Sequence, residues 1–235
     1  MSGPRTTRRA TAAKAAIKLV PPASGRIDVV LLLRQRIANH DLPPGSKLKE
    51  IDLANEFGVP RPRIREALSA LEGRGLVERI PNKGAIVTRL DLAQVLEIYE
   101  AREALEGLCV RLATERSTPD RWNELHRLFG EPMLGFLQAG DFDASLAGYE
   151  QFRREVCAAA QNEIVQQMLD SILERTQIIV RRTIILPGRA ELGLQEHRAT
   201  LEAMRRGDAA EAERMRRQNL RGAADCVRRY HKFVI

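Results

Sequence analysis

Residues 58–87 read GVPRPRIREALSALEGRGLVERIPNKGAIV, and this stretch decides the fold of the N-terminal third. Ile64, Ala67, Leu68 and Leu71 recur at helical spacing and form one apolar stripe. Arg61 and Arg65 lie one turn apart on a different face, with Arg63 on the opposite flank. Gly73 and Gly75 break the period. Residues 76–80 then read as a short strand, 81–84 as a turn and 85–87 as a returning strand. An arginine-rich helix followed by a hairpin with a basic tip suits duplex DNA: the helix enters the major groove while the tip reaches phosphate or the minor groove. Taken alone, the pattern also fits a surface helix with solvated arginines beside an unrelated hairpin.

The segment upstream separates the two readings. Ile27, Val30, Leu31, Ile37 and Ala38 predict a helix over residues 26–39, stopped by the turn composition of residues 40–45. Leu48 sits in an extended link. A short helix over 50–57 carries Ile51, Leu53, Ala54 and Phe57, and Gly58 ends it. Helix, short helix, tight turn, arginine helix and two-stranded wing make a winged helix-turn-helix.

The run LPPGSKLKEIDLANEFGVPRPRIREALSALEGRGLVERIPNKGAIV resembles the DNA-binding domain of the GntR family of bacterial transcription regulators. Leu42, Pro44, Gly45, Leu48, Glu50, Leu53, Ala54, Gly58, Val59, Arg61, Arg65, Glu66, Ala67, Leu68, Leu71, Gly75, Leu76, Val77, Pro81, Gly84 and Val87 all match its pattern. So many fixed positions make a specific signal. The resemblance implies that Arg61 and Arg65 are the main operator contacts and that Asn82, Lys83 and Gly84 form the wing tip; Lys49 is counted with them. Three positions depart from the pattern. Pro60 removes a capping hydroxyl worth ~1 kcal/mol. Pro62 replaces a threonine and loses a hydroxyl for phosphate, and Arg63 replaces a proline and adds a cation for one.

Charge follows the same division. The chain carries a net charge of +7, but residues 1–89 hold 17 Lys and Arg against 8 Asp and Glu, and the remainder 21 against 23. The basic excess sits in the third that would meet a polyanion. Residues 1–25 contain five basic and no acidic residues and read as a mobile basic arm, either touching phosphates or simply solvated.

Beyond residue 90 the chain reads as helix throughout. Asp91 is placed to cap a helix to about Thr114, Ser117-Thr118-Pro119 to open a second, and Asp141, Asn162 and Asp208 to cap later ones. About six helices joined by short turns predict a bundle. The expected fold is therefore all-α with a small β wing: an N-terminal winged helix-turn-helix over 26–89 and a C-terminal antiparallel helical bundle over 90–235, used for effector binding and dimerisation.

This half resembles the helical ligand-binding (FCD) domain of the FadR-type branch of the same family, through Tyr99, Arg102, Leu105 and Glu106, then Phe152, Ala159, Asn162, Glu196-His197 and Gly207-Asp208. Many members hold a divalent metal there through one Asp and three His. Here the Asp position holds Tyr149, the first His position Arg153, and the last falls on Asn219 or Gln218; His197 alone remains. A transition ion needs about three or four good ligands, so no metal and no cofactor are expected. Tyr149 and Arg153 are four apart and face the same way, and by family position Arg102 points into the same cavity. An arginine fork suits a carboxylate. The expectation is a small carboxylate effector held by Arg153 and Arg102, with Tyr149, His197 and Asn219 as polar partners. The alternative is that Arg153 pairs with an internal acid such as Glu106 or Glu150. The arginines of residues 205–217 read as a solvated face or a partner contact, balanced by nearby glutamates.

Three cysteines without a C-x-x-C pair point to a reducing cytoplasm, and no apolar run approaches a membrane span. No G-x-S-x-G, P-loop or H-E-x-x-H motif supports an enzyme. Together these expectations describe a cytoplasmic regulator, a repressor, that binds a palindromic double-stranded operator as a homodimer. Two other readings stay open: a helical half that only dimerises, and, more distantly, a bundle enzyme carrying a DNA-binding domain.

Overall fold

The structure is a computed structural model and describes residues 28–38, 41–81 and 84–234. The basic arm of residues 1–25 and the wing-tip residues Asn82 and Lys83 lie outside the described residues.

The first unit contains α1 (Val29–Ala38), β1 (Lys47–Leu48), α2 (Glu50–Phe57), α3 (Arg61–Gly73), β2 (Val77–Ile80) and β3 (Gly84–Val87). The Asp28 carboxylate accepts the Leu31 N–H at 3.0 Å and starts α1, which buries Val29, Leu33 and Ile37 at four-residue intervals. The stripe expected on α3 is its buried face: Ile64, Ala67, Leu68 and Leu71 pack with Leu33, Leu53 and Val77. α2 ends on Gly58 in the left-handed conformation, and α3 opens on Pro60 without any side-chain cap.

The wing differs from the expected two strands. β1 adds a third, in the order β1-β3-β2, with Lys47 opposite Ile86 and Leu48 opposite Ala85. Alternation explains it, because Lys47 faces outward while Leu48 is buried in the core. The turn before β1 fixes the register: the Gly45 N–H donates to Val87 O at 2.8 Å, and the Val87 N–H to Ser46 O at 3.0 Å. Gly45 has φ +84°, a left-handed conformation that residues with a side chain rarely adopt, so this turn favours glycine.

The helical half contains α4 (Leu92–Glu115), a 3-10 turn (Pro119–Trp122), α5 (Asn123–Leu128), α6 (Glu131–Gln138), α7 (Phe142–Ala160), α8 (Glu163–Ile184), α9 (Arg189–Arg205) and α10 (Ala209–Val234). Asp91 and Gln94 form a capping box on α4. Asp141, Asn162 and Asp208 accept the backbone N–H groups of Ala144, Val165 and Glu211. Thr118 precedes its 3-10 turn but makes no side-chain cap bond. Among the described residues this half has seven α-helices rather than about six, because non-helical Gly130, followed by Pro132 in the first turn of α6, divides α5 from α6.

α10 runs along α4 and α9, α4 packs on α7, and α1 reaches α8. Trp122, Leu125, Phe129, Met133, Phe152, Leu201 and Met204 fill the main helical core. The first unit has a core of its own in which Leu71 is fully buried. Leu71→Ala is expected to cost ~2–5 kcal/mol of stability in urea unfolding; a loss below ~1 kcal/mol would show that α3 is not packed as described.

Candidate DNA-reading face and effector cavity

On α3, Arg61 and Arg65 both turn toward Glu50 at the start of α2. Arg65 makes a two-pronged pair, Nε to Oε1 at 3.0 Å and Nη2 to Oε2 at 2.9 Å, while Arg61 Nη2 reaches Oε2 at 3.4 Å. The hydrogen bond from Arg65, then that from Arg61, lowers the Glu50 pKa. Glu50 thus draws both arginines to one place on an exposed face. Lys49 stands beside them with Asp52 at 3.6 Å, Arg63 is half-buried on the other flank, and Gly84 opens β3 with φ +81° and open space around it. Arg79, which sequence reading passed over, bonds Glu72 at 2.9 Å and Ser69 Oγ at 2.8 Å, tying the wing to α3.

Inside the helical half lies a cavity of about 450 Å3, and Arg102, Tyr149, Arg153, His197 and Asn219 all line it. Its charge is organised around Glu106. Arg102 Nε donates to Oε1 at 2.7 Å, and Arg216 donates to Oε2 through Nε at 3.1 Å and through Nη2. Burial alone would push the Glu106 carboxyl up, but the two guanidiniums bring it down to about 2. The Arg102 Nη1 is buried without any hydrogen-bond partner.

Arg216 has a second role. Its Nη1 donates to His197 Nε2 at 2.8 Å and to Asn219 Oδ1 at 2.7 Å. A guanidinium only donates, so Nε2 accepts, and the His197 proton sits on Nδ1, bonded to Gly193 O at 2.8 Å. Burial, then the charge of Arg216, holds His197 well below its usual pKa, and the ring stays neutral among Phe129, Tyr149 and Phe152. Arg189 and Asn219 both reach Glu196 Oε2, at 2.7 and 2.6 Å. Burial raises the Tyr149 phenol to about 12, so it keeps its proton.

Arg153 departs from the expectation that it holds an effector directly. Its guanidinium is committed to Glu150, at 2.6 and 3.0 Å, and to Asp170 at 2.8 Å, at the edge of the cavity. Its pairing with Glu150 follows the alternative reading, although Glu150 and the second partner, Asp170 on α8, are each about half exposed rather than internal. Arg216 is the converse correction: placed on a solvated face by the charge pattern, it is buried. The signal was its spacing, since Ala212, Arg216, Leu220, Ala223 and Val227 form one buried stripe on α10.

The residues do not suit the metal that the family resemblance brings to this cavity. The Nε2 of His197 is already occupied by Arg216, and Tyr149, Arg153 and Asn219 stand at the other ligand positions. Among the described residues no group of three His, Cys, Asp or Glu is placed to hold an ion.

Comparison with known proteins matches both halves of the chain. Residues 27–87 match the family model "Bacterial regulatory proteins, gntR family", and residues 97–222 match the FCD domain. The chain belongs to the GntR family and carries an FCD domain. It is a transcription regulator, and GntR regulators bind DNA. One similar relative, an uncharacterized HTH-type transcriptional regulator in the TAR-I ttuE-ttuC' intergenic region of Agrobacterium vitis, is 31% identical over 59% of this chain and 82% of its own length. The HTH-type transcriptional regulator LutR of Bacillus subtilis is 27% identical over 83% of this chain and 97% of its own. Among solved structures, E. coli McbR/YncC shares the GntR fold with a TM-score of 0.70 and 22% identity, covering 87% of this chain and all of that one. The domains and relatives are those of regulators, not enzymes, and among the described residues no helix is long and apolar enough to cross a membrane.

A neutral buried His197 makes stability depend on pH. The unfolded chain protonates this residue below about pH 6.5, so there it binds more protons than the folded chain, and stability falls as pH drops through that value. Glu106, depressed to about 2, adds a second loss as pH falls from 4.5 toward 2. The expected outcome is a decline in urea stability between pH 7 and 5 that is shallower in His197→Gln. Identical slopes would place the titration elsewhere.

Proposed function

We propose that this GntR regulator is a ligand-responsive repressor that binds a palindromic operator as a homodimer and answers to a small carboxylate in the helical cavity. The observation that carries the reading is the pairing of an exposed arginine face on α3 with a separate internal cavity lined by guanidiniums. Arg61 and Arg65 read base edges, while Arg63, Lys49 and the wing from Gly84 contact phosphates. Asn82 and Lys83 belong to the same wing in sequence. The bonds of Arg61 and Arg65 to Glu50 hold arginine side chains that are more than half exposed and are therefore weak in water, so operator DNA can replace them. Repression follows from occupying the promoter DNA, and the cytoplasm, where that DNA lies, is the protein's place.

In the cavity, Arg102, Tyr149, His197 and Asn219 face the ligand, and Arg153 holds the rim. A ligand shifts DNA binding only if it favours one arrangement of the DNA-binding unit over another. The contact of α1 with α8, and the presence of Ala38 in the cavity wall, support a short path between the two. A helical half serving only dimerisation would have no need of such a cavity.

Selection from a random duplex library by the full chain is expected to enrich inverted repeats, bound by a particle of twice the 26.4 kDa chain mass. On the enriched site, Arg65→Ala should cost ~1–3 kcal/mol and relax base preference, and affinity should fall steeply with salt. Failure to enrich any site, or equal affinity of wild type and an Arg61→Ala/Arg65→Ala double mutant, would contradict the reading.

A further inference from the structure

The buried floor of the cavity has an unbalanced charge. Arg102, Arg189 and Arg216 face Glu106 and Glu196, and His197 is neutral, so three cations meet two anions. At the rim, Arg153 lies between Glu150 and Asp170, and Arg181 pairs with Asp143, but those acids are half-exposed or more and water screens them. The floor has no such screening. Donors are also left over. Both hydrogens of the Arg102 Nη1 lack a partner, and Arg216 uses only one Nη2 hydrogen on Glu106. A buried guanidinium donor without an acceptor is costly and marks a place for an anion.

Arg216 also does what a divalent cation would do with the same side chains, drawing His197 Nε2 and Asn219 Oδ1 to one positive centre. Leu146, Ala147, Leu173, Val180, Ile184 and Ala223 make an apolar stretch of the wall, beside Thr183 and the rim ions Glu150, Arg153 and Arg181. We propose that Arg216 is a built-in cation in this cavity and, with Arg102, binds the carboxylate of a monocarboxylic acid bearing an apolar body, without a metal ion. One surplus positive charge suits a monoanion; a second carboxylate would meet the apolar wall and be desolvated there. Glu106 is the positioning residue, because it fixes both guanidiniums from α4. The proposal rests on the sensor reading above and gives it a ligand class.

The test uses the full chain and straight-chain acids from acetate to decanoate, with glutarate as the dicarboxylate, by thermal melts and calorimetric titration. One of the longer monocarboxylates should bind most tightly, equally well with and without EDTA, and more tightly than glutarate. Arg216→Gln should weaken that binding by about 30-fold or more. Arg214→Gln, an exposed arginine on the same helix paired with Glu211, should leave it unchanged. If Arg216→Gln does not fold, Arg102→Gln is read the same way, and the EDTA and glutarate comparisons on the wild type decide alone. Undiminished binding in a folded Arg216→Gln, binding lost in EDTA and restored by zinc, or tighter glutarate binding would each overturn the proposal and leave the sensor reading standing. If no carboxylate binds at all, the sensor reading falls and takes the proposal with it.

Discussion

Glu106 lies buried between Arg102 and Arg216, and the helical half depends on that arrangement. Removing even one such charge from water costs several kcal/mol, recovered only when the partners are close and fully hydrogen-bonded. Arg102 sits on the same helix as Glu106, whereas Arg216 comes from α10, 110 residues later. The pair therefore joins the first and last helices of the bundle. Through Asn219 and His197 it also fixes α9, so the long helices that enclose the cavity share one polar knot. Hydrophobic burial holds these helices together, but it is non-directional. The knot sets which residues face inward.

The winged unit uses the same pair of ions to an opposite end. Glu50 gathers Arg61 and Arg65 as Glu106 gathers its two arginines, yet both arginine side chains are more than half exposed. An exposed pair contributes little to stability and exchanges readily with another anion. Burial thus separates the two uses: a permanent structural centre in the bundle, and a replaceable clasp on α3 that keeps two cations side by side on an exposed face.

Much of the fold was legible because it is written in short-range signals. The α3 stripe of Ile64, Ala67, Leu68 and Leu71, the Gly58 stop and the caps at Asp91, Asp141, Asn162 and Asp208 each depend on neighbours within a turn or two. β1 was missed because two residues carry no periodicity, and only its pairing with β3 makes Lys47–Leu48 a strand. The cavity was legible in its lining but not in its wiring. Arg102, Tyr149, Arg153, His197 and Asn219 share it, while the choice of acid for each arginine depends on which helices meet. Asp170 claimed Arg153 from α8, and Arg216 was hidden in an arginine-rich run whose neighbours Arg214 and Arg217 pair with nearby glutamates along the helix.

The coupling between Glu106 and Arg216 is the most direct test of this knot. A double-mutant cycle of Glu106→Gln and Arg216→Gln, read by urea unfolding of the full chain, isolates the pairwise energy from the cost of each change. A buried pair that organises the bundle should show a coupling above ~1.5 kcal/mol. A coupling within ~0.5 kcal/mol of zero, as for an exposed ion pair, would mean that the two side chains do not meet in solution and that the cavity floor is built differently.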